Sequence, residues 1–431
     1  MRMSNLKFMT MAAIAAMTVF TACSDDDDPT PNPNPNPNPE PEPEPSTEIY
    51  SSALFTAEAN HNTINFDFAS TFTNGFFGTI NGGADMPAVD NFFEAADYQG
   101  AVSVDNNWTA GWIRTEGNGD ESVDNAVETL KGELSEDKIL AANQVYALSG
   151  EYIVAEGATL TIEEGVKIVA IDDNIVDYIL IRQGAKIEAN GTAENPIIMT
   201  SERKELGAWG GLHICGYAHT NAEGGSGMSE IGNAPYGGSD DADNSGTLRY
   251  VRLENTGYAL DEEHEANGIS FYGVGNGTTV EYVQAYNGSD DGFEFFGGSV
   301  DIKHAVVINC TDDSFDWTEG WNGRAQFLVA YQTLSECDCL MECDNNGNDF
   351  AATPVAHPTI ANVTLVGNNG DGQGVRLRAG TQVELYNALI SGKDMCLTTE
   401  TAETEQALVD GTSVLNYITL AGDITCEGAG E

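Results

Sequence analysis

Short apolar runs separated by glycine turns follow one another along the chain from Glu151 onward. The sequence reads EYIVAEGATLTIEEGVKIVA and then YILIRQGAKIEANGTAENPIIMTSE. The runs are short and rich in Val, Ile, Thr and Tyr, which is typical of β-strands, and Gly, Asn and Asp bound them as turns. No helical spacing separates the runs. We therefore expect an all-β protein whose successive strands stack on one another.

A repeat that aligns residue by residue sharpens this expectation. VEYVQAYNGSDDGFEFFGG (280–298) superposes on IKHAVVINCTDDSFDWTEG (302–320) at an offset of 22, and LRYVRLENTG (248–257) matches its first half at an offset of 32. Two apolar columns result, Val251, Val283 and Ala305, and Leu253, Ala285 and Val307. Such columns predict the core of a parallel β-helix. A β-sandwich, the alternative fold, requires no such register.

Asparagine recurs where each aligned strand run ends. Asn255, Asn287 and Asn309 occupy the same position of the repeat, and we expect their side chains to form a hydrogen-bonded ladder between turns. Further rungs follow at TIANVTLVGNNGDGQGVRLRAG, VELYNALISGKDMCLTT and VLNYITLAG. The predicted β-helix therefore occupies residues 136–431. Residues 47–135 do not repeat, and we expect them to cap the open N-terminal end of the solenoid.

The first 46 residues predict a signal for export and lipidation, followed by a spacer. Residues 1–22 combine basic residues, an apolar run and small residues before Cys23, as in a signal peptide, so we expect Cys23 to be lipidated. The acidic run SDDDD then resembles the lipoprotein export signal of Bacteroidetes-type bacteria. Alternating prolines follow, and they predict that residues 23–46 form an extended stalk of about 70 Å. The expected location is the outer membrane, with the domain facing outward.

Composition limits the partners. The net charge of −51 lacks the basic footprint of a nucleic-acid-binding protein, so no nucleic-acid partner is expected. It suits a solvated surface protein or one that uses Ca²⁺. Seven cysteines besides Cys23 allow partial disulfide pairing in an oxidising compartment. The CDCLMEC segment at 337–343 lacks CxxC spacing and a neighbouring His, which argues against a zinc site.

Several segments together resemble a known group of proteins. They are FFEAADYQGAVSVDNNWTAGW, ATLTIEEGVKIVA, AWGGLHICGYA, SGTLRYVRLENTG, NGISFYGVGNGTTVEYVQAYNGSDDGFEFFGG and DDSFDWTEGWNGRAQF. The chain is similar in them to secreted bacterial right-handed β-helix lipoproteins, which mostly have no assigned activity. The resemblance implies a right-handed helix and a surface location. It implies no particular chemistry.

An acidic column runs through the repeat. Asp290 and Asp291 align with Asp312 and Asp313, and Glu294 aligns with Asp316. With gaps allowed, the column continues at Asp338, Asp371 and Asp394. Neighbouring rungs stand about 4.8 Å apart, so the carboxylates repel one another unless something offsets their charge.

Three interpretations of this column stay open. The side chains cap backbone amides in successive turns, or the six residues Asp290, Asp291, Glu294, Asp312, Asp313 and Asp316 bind Ca²⁺. The third is catalysis by Asp291, Asp313 and Asp316, by analogy with β-helix polysaccharide hydrolases and lyases. A lyase also needs a base, and only Arg376 and Arg378 lie in the general region of the column.

Aromatic residues flank the acidic column. Trp317 and Trp321 either fill the core, as most such aromatics do, or form a platform on which sugars stack. Three functions therefore remain: a binding module for extracellular glycan or a cell surface, a glycan-cleaving enzyme, and a structural surface protein. The first is the preferred hypothesis.

Overall fold

The structure is a computed structural model that describes residues 80–81, 92–103, 107–173, 175–259 and 265–426. The predicted signal peptide, Cys23, the stalk and residues 47–79 of the predicted cap lie outside this part of the chain. The side chains of residues 80, 81, 371 and 421–426 are not described either.

Strands dominate the described residues. They are β1 (Ile80–Asn81), β2 (Tyr98–Gln99), β3 (Glu128–Leu134), β4 (Lys138–Leu140), β5 (Val145–Val154), β6 (Thr159–Ile162), β7 (Lys167–Ala170), β8 (Tyr178–Ile181), β9 (Lys186–Asn190), β10 (Ile197–Ser201), β11 (Leu212–Cys215), β12 (Gly227–Met228), β13 (Pro235–Tyr236), β14 (Gly246–Glu254), β15 (Ile269–Tyr272), β16 (Thr279–Tyr286), β17 (Phe293–Phe296), β18 (Asp301–Ile308), β19 (Phe315–Thr318), β20 (Arg324–Tyr331), β21 (Met341–Cys343), β22 (Thr359–Leu377), β23 (Glu384–Thr399) and β24 (Val414–Cys426). One α-helix, α1 (Ala402–Asp410), and two 3-10 turns, Val123–Asn125 and Glu223–Gly225, accompany them.

Twenty of these strands, β3–β11 and β14–β24, join in one parallel ladder. The ladder coils through three faces. The site sheet contains β8, β11, β15, β17, β19 and β21. The flank sheet contains β7, β10 and the second halves of β14, β16, β18 and β20, while β4, β6, β9 and the first halves of those long strands form the third face. The fold is the all-β parallel β-helix that the repeat predicts.

The register predicted from the repeat is confirmed. Val251 pairs with Val283, which pairs with Ala305, and Leu253, Ala285 and Val307 form the parallel column. These side chains are fully buried in the central cluster that runs the length of the solenoid. Stacking begins at Glu128 in β3, before residue 136.

The asparagine column is present, but the reason for it differs from the expectation. Asn255, Asn287 and Asn309 have φ of 64°, 54° and 58°, the left-handed region that Asn tolerates better than most residues. No side-chain hydrogen bond joins these three residues, and the Oδ1 of Asn309 instead accepts the N–H of Thr333 at 2.7 Å. The column therefore marks a backbone bend between the flank sheet and the next loop.

The described part of the predicted cap, residues 92–103 and 107–127, lies along the side of the solenoid; we call it the strap. Near its start, Gln99 contacts Thr419 in β24. At its end, the N–H of Val127 donates to the carbonyl of Val145 in β5. Trp108 and Trp112 pack on the flank sheet. They cover an apolar face whose side chains include Tyr286, Val306, Ile308 and Val329.

Two glutamines fix the strap by pairing with its backbone as a strand would. The Gln284 amide accepts the N–H of Arg114 and donates to the Arg114 carbonyl, both at 2.7 Å. Gln326 makes the same pair of bonds to Glu94, at 2.7 and 2.8 Å. The strap thus satisfies its polar groups on an otherwise apolar surface.

Six buried cysteines of the described part form no disulfide bond with one another: Cys215, Cys310, Cys337, Cys339, Cys343 and Cys396. Partial disulfide pairing therefore does not occur among them. Among the described residues, no helix has the length and apolarity that crossing a bilayer requires.

Candidate functional site

Strand alternation places the acidic column on the outside of the site sheet. In β17 the rings of Phe293 and Phe295 point into the core, so Glu294 between them points outward. In β19 Asp316 takes the same position and pairs with Glu294 in register. Glu342 of β21 follows on the next rung. The sequence alignment of Glu294 with Asp316 is thus confirmed.

The turns that precede β17 and β19 supply the other carboxylates. The Oδ1 of Asp291 accepts the N–H of Asp313 at 2.8 Å, and the Oδ1 of Asp313 accepts the N–H of Cys339 at 2.6 Å. Both aspartates are nearly buried, at 6% and 5% exposure. The capping interpretation is therefore confirmed for these two residues. Each of the two side chains thus holds the next turn in place, and the catalytic role of Asp291 and Asp313 stays a prediction.

Four overlapping groups of three potential metal ligands occur among the described residues; one joins Asp313 and Glu342 with the thiol of Cys339, and another joins Asp291, Asp312 and Asp313. The other two contain only carboxylates from successive rungs. Oxygen atoms of Glu265, Asp290 and Asp312 lie within 4.8 Å of one another, and so do oxygen atoms of Asp291, Glu294 and Asp316. We use "acidic cluster" for Glu230, Glu265, Asp290, Asp291, Glu294, Asp312, Asp313 and Asp316. All donors in both groups are carboxylate oxygens, the ligand type that Ca²⁺ prefers.

Two members of the acidic cluster were missed by the sequence reasoning, because they lie outside the repeat. Glu230 lies in an insertion between β11 and β14, and its Oε2 accepts the Tyr272 hydroxyl at 3.3 Å. The insertion is held over the site sheet through Glu319, whose Oε2 accepts the hydroxyls of Thr220 and Tyr236 at 2.7 and 2.8 Å. Glu265 lies four residues before the first residue of β15. In the sequence, only the acidic character of the loops that contain Glu230 and Glu265 indicates that these residues belong to the acidic cluster.

Burial and mutual repulsion raise the pKa values across the acidic cluster. Burial, and then the charges of Glu265 and Glu230, raise the pKa of Asp290 well above its usual range. Burial and then Asp313 do the same for the pKa of Asp291. A carboxylate that loses water needs a proton or a cation in exchange.

The charge of Asp316 in the acidic cluster is only partly satisfied by its neighbours. Its Oδ1 is buried and has no hydrogen-bond partner. Burial, then Glu342 and Asp344, raise the pKa of Asp316, and Arg378 opposes this only partly. An orphaned carboxylate oxygen among other carboxylates is what a bound cation would satisfy.

The predicted ligand residues Arg376 and Arg378 are held in an ion-pair network. Arg376 lies 3.0 Å from Glu342 and 2.8 Å from Glu400, and Arg378 lies 2.7 Å from Asp344. Glu342 and Glu400 keep the Arg376 guanidinium protonated by raising its pKa against the effect of burial. Arg376 is therefore unsuited to the base role of a lyase.

The predicted sugar-stacking platform is wrong. Trp317 and Trp321 are each 1% exposed and lie in the central core. The Trp321 ring stacks on Phe295 at 4.2 Å, and the indole of Trp317 donates to the Thr381 hydroxyl at 3.0 Å. For Trp317, alternation within β19 already required this, because Asp316 takes the outward position.

The predicted continuation of the acidic column at Asp338, Asp371 and Asp394 is only partly present. Asp338 lies on the rung after Asp312, since its N–H donates to the carbonyl of Asp312 at 3.2 Å. Asp394, however, is exposed, and the adjacent Lys393 takes the buried position. The side chain of Asp371 lies outside the described residues.

Comparisons with known proteins give one match. Residues 132–429 match the family model described as a pectate-lyase like beta helix domain. No curated protein matches the chain, and no solved structure does.

Proposed function

The chain belongs to the pectate-lyase-like β-helix family, and from this premise we propose that it is a glycan-binding module whose acidic cluster takes up divalent cations. The observation that carries the proposal is the buried, partnerless Oδ1 of Asp316 among carboxylates that repel one another. Ca²⁺ fits the all-oxygen donor set better than a metal that prefers nitrogen or sulfur.

Two groups of residues would hold the cations. Glu265, Asp290 and Asp312 come from three successive turns, and Glu294 with Asp316 comes from two successive strands of the site sheet. Cations held there would offset the negative charge locally. They would thereby allow an anionic glycan to approach a chain whose net charge of −51 otherwise repels it.

The proposal includes an extracellular location. Its support is the sequence alone, namely the signal-like residues 1–22, Cys23 with the SDDDD run, and the proline-rich stalk. A membrane anchor at Cys23 predicts that radiolabelled palmitate enters the wild-type chain and that Cys23→Ala abolishes this labelling. Equal labelling of both proteins would remove the anchor from the proposal.

Glycan binding is tested on a panel of acidic and neutral polysaccharides, with Ca²⁺ or with EGTA. We expect retention of at least one polysaccharide in Ca²⁺, loss of retention in EGTA, and weaker retention by Asp316→Asn. Asp394→Asn is the matched control, because Asp394 is exposed and apart from the acidic cluster. Retention that is the same in Ca²⁺ and in EGTA, or absent for every polysaccharide, would contradict the proposal.

A second candidate is glycan cleavage, and one observation favours it. Oxygens of Glu294 and Asp316 approach within 4.8 Å, close to the separation of about 5 Å found in retaining glycosidases. Burial, and then the charges of Glu230 and Asp316, raise the pKa of Glu294, which suits this group to hold a proton for donation.

Release of reducing ends from the same polysaccharides separates the two candidates. Cleavage by wild type that is lost in Glu294→Gln and kept in Asp394→Asn would establish an enzyme. Binding without new reducing ends or unsaturated products would reject the enzyme and support the binding module.

A further inference from the structure

Lys393 is a buried lysine outside the acidic cluster. Its side chain is 2% exposed, although lysine is among the residues least often buried. It lies in β23, where its backbone pairs with Gly370 of β22. Its Nζ donates to the carbonyl of Cys337 at 3.1 Å and to the Oδ1 of Asn368 at 2.8 Å.

The Asn368 amide is held in one orientation. Its Nδ2 donates to the carbonyls of Leu334 and Cys337 at 2.8 and 2.9 Å, which fixes the assignment of its oxygen and nitrogen. Its Oδ1 accepts the N–H of Gly370 at 3.0 Å in addition to the Lys393 amine. Two donors on one carbonyl oxygen polarise the amide and stabilise negative charge that develops there.

Two glycines, Gly367 and Gly372, leave room for the Lys393 side chain. A Cβ on Gly367 would stand 2.7 Å from the Cγ of Lys393. A Cβ on Gly372 would stand 3.0 Å from the Lys393 Nζ and 2.7 Å from the Oδ1 of Asp338. The amine and the Asp338 carboxyl therefore face the same small space. Burial lowers the pKa of Lys393 although Asp338 acts in the opposite direction, which increases the fraction of neutral, nucleophilic amine.

We propose that Lys393 and Asn368 form an intramolecular isopeptide bond, with Asp338 moving the protons. The Nζ of Lys393 attacks the Cγ of Asn368, and a C–N bond forms. A proton passes from Nζ to the Asp338 carboxyl and from there to Nδ2 of Asn368. The Cγ–Nδ2 bond then breaks, and ammonia leaves. Nothing is oxidised or reduced. The product ties β22 to β23 covalently, near the C-terminal end of the solenoid.

Peptide mapping of the full-length chain by mass spectrometry tests the bond. We expect a branched peptide that joins the segments around residues 368 and 393, with a mass lower by one ammonia than the sum of the two linear peptides. Quantitative recovery of the two unmodified linear peptides from folded wild type, fresh and after prolonged incubation, would overturn the proposal.

Variants separate the bond from a structural hydrogen bond. Lys393→Met and Asp338→Asn should each yield only linear peptides, and Asp338→Asn keeps the size of the carboxyl group. Lys303→Met is the control, since the Lys303 amine contacts Glu94 and the carbonyl of Phe92, with no amide side chain among these contacts. It should keep the branched peptide. A branched peptide in Lys393→Met would show that another lysine reacts, which would equally overturn the assignment.

Discussion

Asp177 is expected to contribute to the pH dependence of the stability of the fold, and Asp177→Asn should remove this contribution. The side chain is 2% exposed, and its Oδ1 accepts the N–H of Gly150 at 2.5 Å. Burial raises its pKa from 3.8 to about 7, and Asp173 adds to this effect. Asn has the same shape and keeps the accepting oxygen, so the substitution removes mainly the charge.

The direction in which stability changes with pH follows from proton binding by Asp177. The folded chain holds the Asp177 proton more tightly than the unfolded chain, so this group contributes its full stability below pH 4 and loses it as pH rises through about 7. At about 1.4 kcal/mol per pKa unit, the cost above pH 7 is about 4 kcal/mol, or about 2 kcal/mol if nearby water screens the charge. Asp177→Asn should therefore stabilise the fold by that amount at pH 8 and change it little at pH 4.

Urea unfolding at both pH values, without metal, measures the difference between variant and wild type. Asp172→Asn is the control, because Asp172 is an exposed neighbour that lies 3.7 Å from Arg203 in a surface ion pair. It should change the free energy of unfolding by less than about 1 kcal/mol at either pH. Equal effects of Asp177→Asn at pH 4 and pH 8, or destabilisation at pH 8, would refute the reasoning.

Three further substitutions test the strap, the capping turns and the ion-pair network by denaturant unfolding. Trp112→Ala should cost about 3–5 kcal/mol, because the fully buried indole packs between the strap and the flank sheet, and a loss below about 1 kcal/mol would contradict that packing. Asp313→Ala should cost about 1–3 kcal/mol by orphaning the N–H of Cys339, whereas Asp313→Asn keeps the acceptor and should cost less; equal losses would exclude the capping role. Arg376→Gln should cost about 3–5 kcal/mol, because it removes the cation that Glu400 contacts and leaves Glu342 with Arg378 alone, and a neutral result would contradict the network.

The repeat predicted the parts of the fold that repeat. Because one rung lies directly on the next, an offset in the sequence becomes a strand pairing, and the pairing of Val283 with Ala305 was readable in this way. The same logic placed Glu294 beside Asp316. It also placed Asp291 and Asp313 in successive turns, although not the amides that they cap.

Features outside the repeat were not predictable in this way. The strap contacts the solenoid through Trp108 and Trp112, which have no counterpart in another coil and hence no register. Glu230 reaches the acidic cluster from an insertion, so no column leads to it. The error at Trp317 is of another kind. The alternation of β19 already assigns that ring to the core, whereas its position in the sequence beside acidic residues suggested an exposed platform.

Isothermal titration of the full chain with CaCl₂ at pH 8 tests the central claim most directly. The account predicts saturable binding by wild type, markedly weaker binding by Asp316→Asn, and unchanged binding by Asp394→Asn. It also predicts a melting temperature that rises with Ca²⁺ in wild type. No heat of binding and no shift in melting temperature, or equal binding by Asp316→Asn and wild type, would contradict the assignment of the acidic cluster as a cation site.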